Sequence, residues 1–163
     1  MIEQILGPVT PFLDQLFEHL REDKIEVGQY ELDHICYRVE TLQRYQELVQ
    51  QLSSFGILLT ETLIGGRPIS TFKLLTPIAY KDRTIYCLEL PAPKAGSPYL
   101  EGFEHAEFVI DVPFAEFMKK YSKCHFKTKG MQKAVNPEIS IKYDGMSVKF
   151  HHHPIEYVIK YLD

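Results

Sequence analysis

The chain has 163 residues, of which 45% are hydrophobic and 25% are charged, proportions typical of a globular protein rather than a disordered one. The formal net charge of −4 does not favour a protein that binds nucleic acid over a broad basic face. No apolar run approaches the roughly 20 residues that span a bilayer, and the N-terminal stretch MIEQILGPVTPF lacks the pattern of a signal peptide. We therefore expect one cytoplasmic domain with no nucleic-acid or membrane partner.

The three cysteines, Cys36, Cys87 and Cys124, are an odd number and show no CxxC spacing. This pattern disfavours both a disulfide framework and a cysteine-based zinc site. We expect free thiols.

Hydrophobic periodicity predicts one series of elements in the first half of the chain. Apolar residues three and four apart indicate helices, alternation indicates strands, and Gly65-Gly66-Arg67-Pro68 indicates a turn. The predicted elements are a helix over 11–22, a strand over 30–39, a helix over 42–52, and strands over 55–63, 69–75 and 84–90.

A loop rich in proline and glycine over 91–98 separates this series from a second one. The lysine-rich stretch from Lys119 to Lys133 shows no clear period and is predicted to be a solvated loop. Asp144-Gly145 is typical of a two-residue hairpin. The predicted elements are strands over 103–110, 138–143 and 146–151, and helices over 114–121 and 155–162.

The two halves show an internal similarity. The segment ELDHICYRV aligns with GFEHAEFVI, so that His34 and His105 occupy equivalent places near the start of each half. The similarity indicates a duplicated strand–helix–strand–strand–strand unit. Chance likeness between two amphipathic strands is the alternative.

The polar faces of the predicted strands contain the candidate functional residues. Period-two alternation places His34, Glu89, His105 and His151 on the face opposite the apolar one. A solvated sheet face is the plain alternative. If the sheet curls, however, these four side chains converge in one hollow. Histidine and carboxylate ligands suit a divalent ion that keeps open positions, and Zn²⁺, Mn²⁺, Fe²⁺ and Ni²⁺ all remain candidates.

A family resemblance adds to this interpretation. The segments DHICYRV, IGGRPISTFKL, LELPAPK, FEHAEFVI and SVKFHHHPIEYV, in this order, closely resemble the YecM family, which is placed in the vicinal oxygen chelate superfamily. The resemblance implies an α+β fold of two βαβββ modules that form a cupped, mixed eight-stranded sheet, with additional N-terminal and C-terminal helices. The implied organisation is a single domain over 1–163, with an N-terminal helical region over 1–29, module one over 30–92 and module two over 100–163.

In that superfamily a metal commonly lies inside the cup, held by residues of the first and last strands of each module. The resemblance places His34 and His105 at the first-strand positions and Glu89 at the last-strand position of module one. The last strand of module two reads SVKFH, where many superfamily enzymes have a glutamate. His151 is the substitute ligand that we predict there, and Lys149 is the other residue that faces the cup by alternation.

Several neighbours on the same face are further candidates. Glu107, two residues after His105, is predicted to act as a general acid or base, with a role as charge partner of a cation as the alternative. Three cations, Arg38, Lys73 and Lys149, would form a positive rim that suits a carboxylate or phosphate of the substrate. Arg67 joins these predicted substrate-binding residues through the GGRPI motif.

The sequence therefore predicts a metal-dependent enzyme that binds a small anionic substrate through two neighbouring oxygens. Isomerase, epimerase, lyase and oxygenase (oxidoreductase) chemistry all fit this prediction, since each needs an oxyanion to be stabilised. A non-catalytic protein that binds a metal or metabolite is the principal alternative, and a protein-interaction module is another. Homodimers are common in the superfamily, and the sequence leaves that question open.

Overall fold

The computed structural model describes residues 1–162, and within them eight strands form one mixed sheet in the order β2-β3-β4-β1-β5-β8-β7-β6. The predicted α+β class with an eight-stranded sheet is confirmed. The strands are β1 (Glu31–Arg38), β2 (Gly56–Ile64), β3 (Arg67–Tyr80), β4 (Arg83–Pro91), β5 (Gly102–Val109), β6 (Phe126–Lys127), β7 (Glu138–Tyr143) and β8 (Met146–His151).

Five α-helices accompany these strands within the described residues. They are α1 (Glu3–Leu6), α2 (Thr10–Glu22), α3 (Leu42–Leu52), α4 (Phe114–Lys120) and α5 (Ile155–Tyr157). A 3₁₀ turn over Lys129–Gln132 and a π-helical segment over Val158–Leu162 complete the elements. No helix among residues 1–162 has both the length and the apolar character needed to cross a bilayer.

The chain divides into two compact units. The first comprises Met1–Val9 and His34–Glu104, and its elements follow the order β1-α3-β2-β3-β4. Strand β1 pairs with β4 in parallel, while β3 is antiparallel to both β2 and β4. The unit thus joins its first and last strands side by side. Its helix α3 begins at Leu42, and the side chain of the N-cap residue Thr41 accepts a hydrogen bond from the Arg44 amide.

The second unit comprises Thr10–Asp33 and residues from 105 onward. Its strands and helix repeat the order strand–helix–strand–strand–strand as β5-α4-β6-β7-β8. Strand β5 pairs with β8 in parallel, and β7 is antiparallel to β6 and β8. Helix α2, with its buried leucines Leu13, Leu16 and Leu20, also lies in this unit. The repeat inferred from His34 and His105 is therefore present as two units of like topology. The predicted organisation was a single domain over 1–163 with modules over 30–92 and 100–163. It stays a prediction.

Two predicted elements differ in the structure. The turn after β2 is limited to Gly65 and Gly66, which both have positive φ, so Arg67 begins strand β3 instead of closing the turn. Strand β3 extends to Tyr80, beyond the predicted end at residue 75. Pro77, within the added part, lies where the β3–β4 register shifts, and an irregularity of this kind accommodates proline.

The lysine-rich segment after α4 also contains more structure than predicted. Phe126 and Lys127 form β6, which pairs with Ile141 and Ser140 of β7. A strand of two residues is too short to produce a period in the sequence, which explains why the segment looked like a loop.

Candidate functional site

The first unit brings His34 and Glu89 together through the parallel pairing of β1 with β4. His34 lies opposite Cys87 and Cys36 lies opposite Glu89, so all four side chains share one face of the strand pair. His34 is fully buried and the Glu89 side chain is 19% exposed. Their atoms Nε2 and Oε2 lie 4.0 Å apart. The predicted pairing of the histidine with this glutamate is therefore present within the unit.

The second unit holds a similar pair on a single strand. His105 and Glu107 both lie on β5, two residues apart, and the His105 Nε2 atom lies 3.1 Å from Glu107 Oε2. Both side chains are buried, at 1% and 7% exposure. The solvated sheet face considered as an alternative does not describe these positions. An imidazole and a carboxylate at this distance share a hydrogen bond, which fixes the orientation of both groups.

The strand registers show which residue of the second unit corresponds to Glu89. In the first unit Glu89 lies opposite the residue two positions after the histidine. In the second unit that place, opposite Glu107, is occupied by Lys149. His151 lies two residues further along β8, opposite Val109. The second unit thus carries its carboxylate on the first strand, and a lysine stands where the first unit has its acid.

His151 lies in a polar setting of its own within the second unit. The ring is fully buried, and its Nδ1 atom lies 2.7 Å from the Asn136 side-chain nitrogen and 3.9 Å from Glu107 Oε1. Its Nε2 atom lies 3.5 Å from Asp33 Oδ2, and the same oxygen accepts a hydrogen bond of 2.8 Å from the Ile155 amide at the start of α5. The nearest of these contacts, at 2.7 Å, is the one with Asn136.

Asp33 and Asn136 were missed by the sequence reasoning. Asp33 has the parity of the apolar residues of β1, so a strict division of faces excluded it. Asn136 lies in the loop before β7, with a positive φ of 50°, and no period marks it. The sequence signal that was available for Asp33 was its place directly before His34.

The predicted basic residues take different partners. Arg38 forms an ion pair of 3.3 Å with Glu104, and its guanidinium carbon lies 4.2 Å from the centre of the Tyr99 ring. Burial acts to lower the pKa of Arg38, but its acidic neighbours, Glu104 among them, outweigh burial and raise the pKa overall. Lys149 lies 3.6 Å from Glu138, an acid that also pairs with Lys133 and that the sequence reasoning did not assign to Lys149.

Arg67 and Lys73 lie on β3 in the first unit. Arg67 donates a hydrogen bond of 2.8 Å to the Ala92 carbonyl, which ties the start of β3 to the end of β4. Burial lowers the pKa of Arg67, and the nearby positive charge of Arg38 lowers it further. Lys73 lies opposite Cys87 and therefore shares the face of His34. Lys73 and Lys149 are placed as predicted on the polar faces of their strands.

The donor atoms within each unit meet the requirements of a divalent ion. Two ligand atoms bound at about 2.1 Å to one ion lie roughly 3.0 to 4.2 Å apart, depending on the angle between them. The separations of 4.0 Å between His34 and Glu89 and of 3.1 Å between His105 and Glu107 both fall in this range. All four residues belong to groups of histidine and carboxylate side chains that could hold a metal ion. Imidazole nitrogen and carboxylate oxygen suit Zn²⁺, Mn²⁺, Fe²⁺ and Ni²⁺.

Solved structures with this arrangement of strands define the class of the fold. A structure described as "Structural Genomics, Protein EC4020" superposes with a TM-score of 0.84 at 25% identity, covering 98% of this chain and 92% of that one. Methylmalonyl-CoA epimerase in complex with methylmalonyl-CoA and NH4+ superposes with a TM-score of 0.53 at 13% identity, over 77% and 96% of the two chains. A Streptomyces coelicolor methylmalonyl-CoA epimerase gives 0.52 at 14% identity, over 75% and 96%. These likenesses show that the chain shares its fold with methylmalonyl-CoA epimerase.

Sequence comparison identifies the family within that class. The profile described as "YecM protein" matches residues 2–161, and the chain belongs to the YecM family. Protein YecM of Escherichia coli is 31% identical over 112 residues, which cover 67% of this chain and 58% of that protein. An uncharacterized protein of Haemophilus influenzae is 31% identical over 98 residues, or 60% and 51% of the two chains. The matched region thus spans little more than half the length of these curated relatives.

Proposed function

We propose that the protein is a metal-dependent enzyme that acts on a small anionic substrate bound through two neighbouring oxygens. The observation that carries the proposal is the presence, in each unit, of a buried histidine with a carboxylate at ligand spacing. The fold that the chain shares with methylmalonyl-CoA epimerase adds support, since that neighbour is an enzyme solved with a small anionic substrate. Cytoplasmic location remains a prediction.

The ligands that we propose are His34, Glu89, His105 and Glu107. Glu107 replaces His151 in this set because Glu107 lies at ligand spacing from His105, whereas His151 is engaged by Asn136 and Asp33. A bound ion would act as a Lewis acid toward the substrate oxygens and stabilise an enolate or similar oxyanion. Isomerisation, epimerisation, lyase cleavage and oxygenation all use this stabilisation, so the proposal covers these four reaction types.

Metal content is the first test. Protein purified without nickel resin should contain close to one divalent ion per chain by elemental analysis. His34→Ala and His105→Ala should each lower the content strongly, because each substitution removes a proposed ligand. His153→Ala is the matched control, since His153 is exposed and its ring stacks on Tyr157. Metal-free native protein, or uptake unchanged in both histidine variants, would contradict the proposal.

A second test concerns the fourth ligand. With Cu²⁺ as the probe, pulsed electron paramagnetic resonance counts the coordinated imidazoles. Glu107→Gln should weaken metal binding without changing that count, and His151→Gln should leave two imidazoles bound. Loss of one imidazole signal in His151→Gln would instead return His151 to the ligand set. If Glu107→Gln keeps full metal affinity but abolishes turnover, Glu107 has the acid–base role that the sequence first suggested.

The structure also favours one alternative function, that of a binding protein without catalysis. Lys149 stands at the register position of Glu89, and a protonated lysine cannot bind a metal. A cation there could hold an anionic metabolite against a more weakly bound ion. Turnover separates the two functions. Tight binding of dicarbonyl, hydroxy-acid or diol compounds with no product by mass spectrometry would support the binding protein.

A further inference from the structure

We propose that residues 129–136, which we call the lid segment, form a lid over the polar face of the second unit. The lid opens to admit a ligand to that face and closes over it. The inference deepens the proposed function and rests on it only for the identity of the ligand that is admitted. All of its contacts lie within the second unit.

The face that the lid segment covers is the one that contains Glu107. Glu107 lies opposite Lys149 on β8, and Lys149 lies opposite Ser140 on β7, so these three side chains share one face of the sheet. His151, two residues beyond Lys149, lies opposite Glu138. Alternation therefore places His151 and Glu138 on the same face, in the row beside that of Glu107.

Three residues of the lid segment reach this face. The Lys133 ammonium group lies 2.5 Å from Glu138 Oε1. The Asn136 side-chain amide donates a hydrogen bond of 2.7 Å to His151 Nδ1. Gly130 lies so close to Glu138 that a Cβ atom added there would come within 2.9 Å of the Glu138 carbonyl oxygen. Glu138 and His151 are both buried, so the lid segment covers side chains that solvent hardly reaches.

The lid segment itself is held weakly. None of its residues is buried, and its apolar side chains Met131 and Val135 are both exposed. The backbone hydrogen bonds that it makes at Met131 and Lys133 are local ones, to Thr128 and Gly130. A segment without buried apolar side chains opens at a much lower free-energy cost than the strands of a core. The ion pair of Lys133 adds little to this cost, because the lysine side chain is half exposed.

The corresponding connection of the first unit has no room for such a lid. There β2 and β3 are joined by the tight turn at Gly65 and Gly66. In the second unit residues 128–137 join β6 to β7, and this connection is longer than most between paired strands. Mobile connections of this kind close many enzyme sites against water.

Chemical modification of His151 measures the opening of the lid without a metal. Diethyl pyrocarbonate acylates the imidazoles that solvent reaches, and mass spectrometry locates the product. Because His151 is fully buried, its modification rate should follow the fraction of open lid. Lys133→Gln should raise this rate about two- to fivefold, since it removes the ion pair with Glu138. Lys129→Gln is the matched control and should leave the rate unchanged, because Lys129 is exposed and forms no ion pair within residues 1–162.

A second pair of variants changes the fit of the lid. Gly130→Ala places a methyl group against the Glu138 carbonyl oxygen and should raise the modification rate of His151 by about tenfold or more. Gly28→Ala, in the same unit, meets nothing within 4 Å and should change nothing. Hydrogen exchange of the lid segment should rise in parallel with the modification rate. An unchanged urea midpoint shows that the opening is local. Equal modification rates in the native protein, Lys133→Gln and Gly130→Ala would overturn the inference, whatever the metal content.

Metal kinetics test whether the lid serves the proposed site. With Zn²⁺ as the probe, Lys133→Gln should speed both uptake and release into a chelator by the same factor and leave the affinity unchanged, because a lid acts on both rates alike. Unchanged rates or a changed affinity would overturn the role of the lid in admitting the ligand. Absence of metal binding, together with variant-dependent modification of His151, would refute the metal proposal and keep the lid.

Discussion

Replacement of Asp33 tests the polar cluster around His151. The Asp33 side chain is buried, accepts a hydrogen bond of 2.8 Å from the Ile155 amide and lies 3.5 Å from His151 Nε2. Asp33→Ala removes both interactions, while Asp33→Asn keeps an oxygen that can accept from Ile155. The two substitutions therefore separate the loss of the hydrogen bond from the loss of the charge.

The two contacts of Asp33 determine how much free energy of unfolding each substitution should cost. A hydrogen bond to a charged, buried acceptor contributes about 1.5 to 3 kcal/mol, and the contact with His151 adds to it. We expect Asp33→Ala to lower the free energy of unfolding by about 2 to 4 kcal/mol. Asp33→Asn should cost about half as much, because the amide of Ile155 keeps an acceptor. Glu116→Ala, at an exposed acidic residue in the first turn of α4, should change the free energy by less than about 0.5 kcal/mol.

Urea denaturation followed by circular dichroism measures these differences. For a domain of this size the slope is about 2 kcal/mol per molar urea, so the midpoint of Asp33→Ala should fall by roughly 1 to 2 M. Equal and small effects of both Asp33 substitutions would refute the reasoning, because they would mean that neither the helix amide nor His151 depends on this carboxylate.

Two further predictions concern charges in the same molecule. The hydrogen bonds that Arg44 and Tyr37 donate lower the pKa of Glu101 from its usual 4.5. The ionised carboxylate therefore stabilises the fold above pH 4.5, and this stabilisation is lost as the pH falls through the folded-state pKa. Glu101→Gln should therefore cost about 1 kcal/mol in urea titrations at pH 7 and nothing in strong acid, and a cost that does not depend on pH would contradict this. Lys149→Glu places an acid at the register position of Glu89 and should tighten metal binding by at least about tenfold in competition with a chelator, whereas unchanged affinity would show that residue 149 does not reach the ion.

The sequence predicted the fold well because period and turn chemistry act locally. The alternation around His34 identified β1, and Asp144-Gly145 identified the hairpin between β7 and β8. Strand β6 was missed because Phe126 and Lys127 are ordered by pairing with β7, which is a long-range effect that no local pattern reports.

The site was predicted in part, for a related reason. Residue type and parity were enough to select His34, Glu89 and His105, since these side chains share the polar faces of regular strands. Alternation places both Lys149 and His151 on the same face of β8 and cannot tell which of them corresponds to Glu89. The pairing register of β5 with β8 identifies Lys149 as that residue.

The acid beside the histidine lies on the last strand of the first unit but on the first strand of the second. This difference matters when the two halves of the chain are compared by sequence. When the two halves are aligned column by column, position 149 looks like the loss of a functional residue and position 107 looks like an unrelated gain. The paired strands show instead that each unit has a carboxylate beside its histidine, on the last strand in the first unit and on the first strand in the second. A motif search that demands an acid in the final strand of both repeats would pass over proteins built in this way.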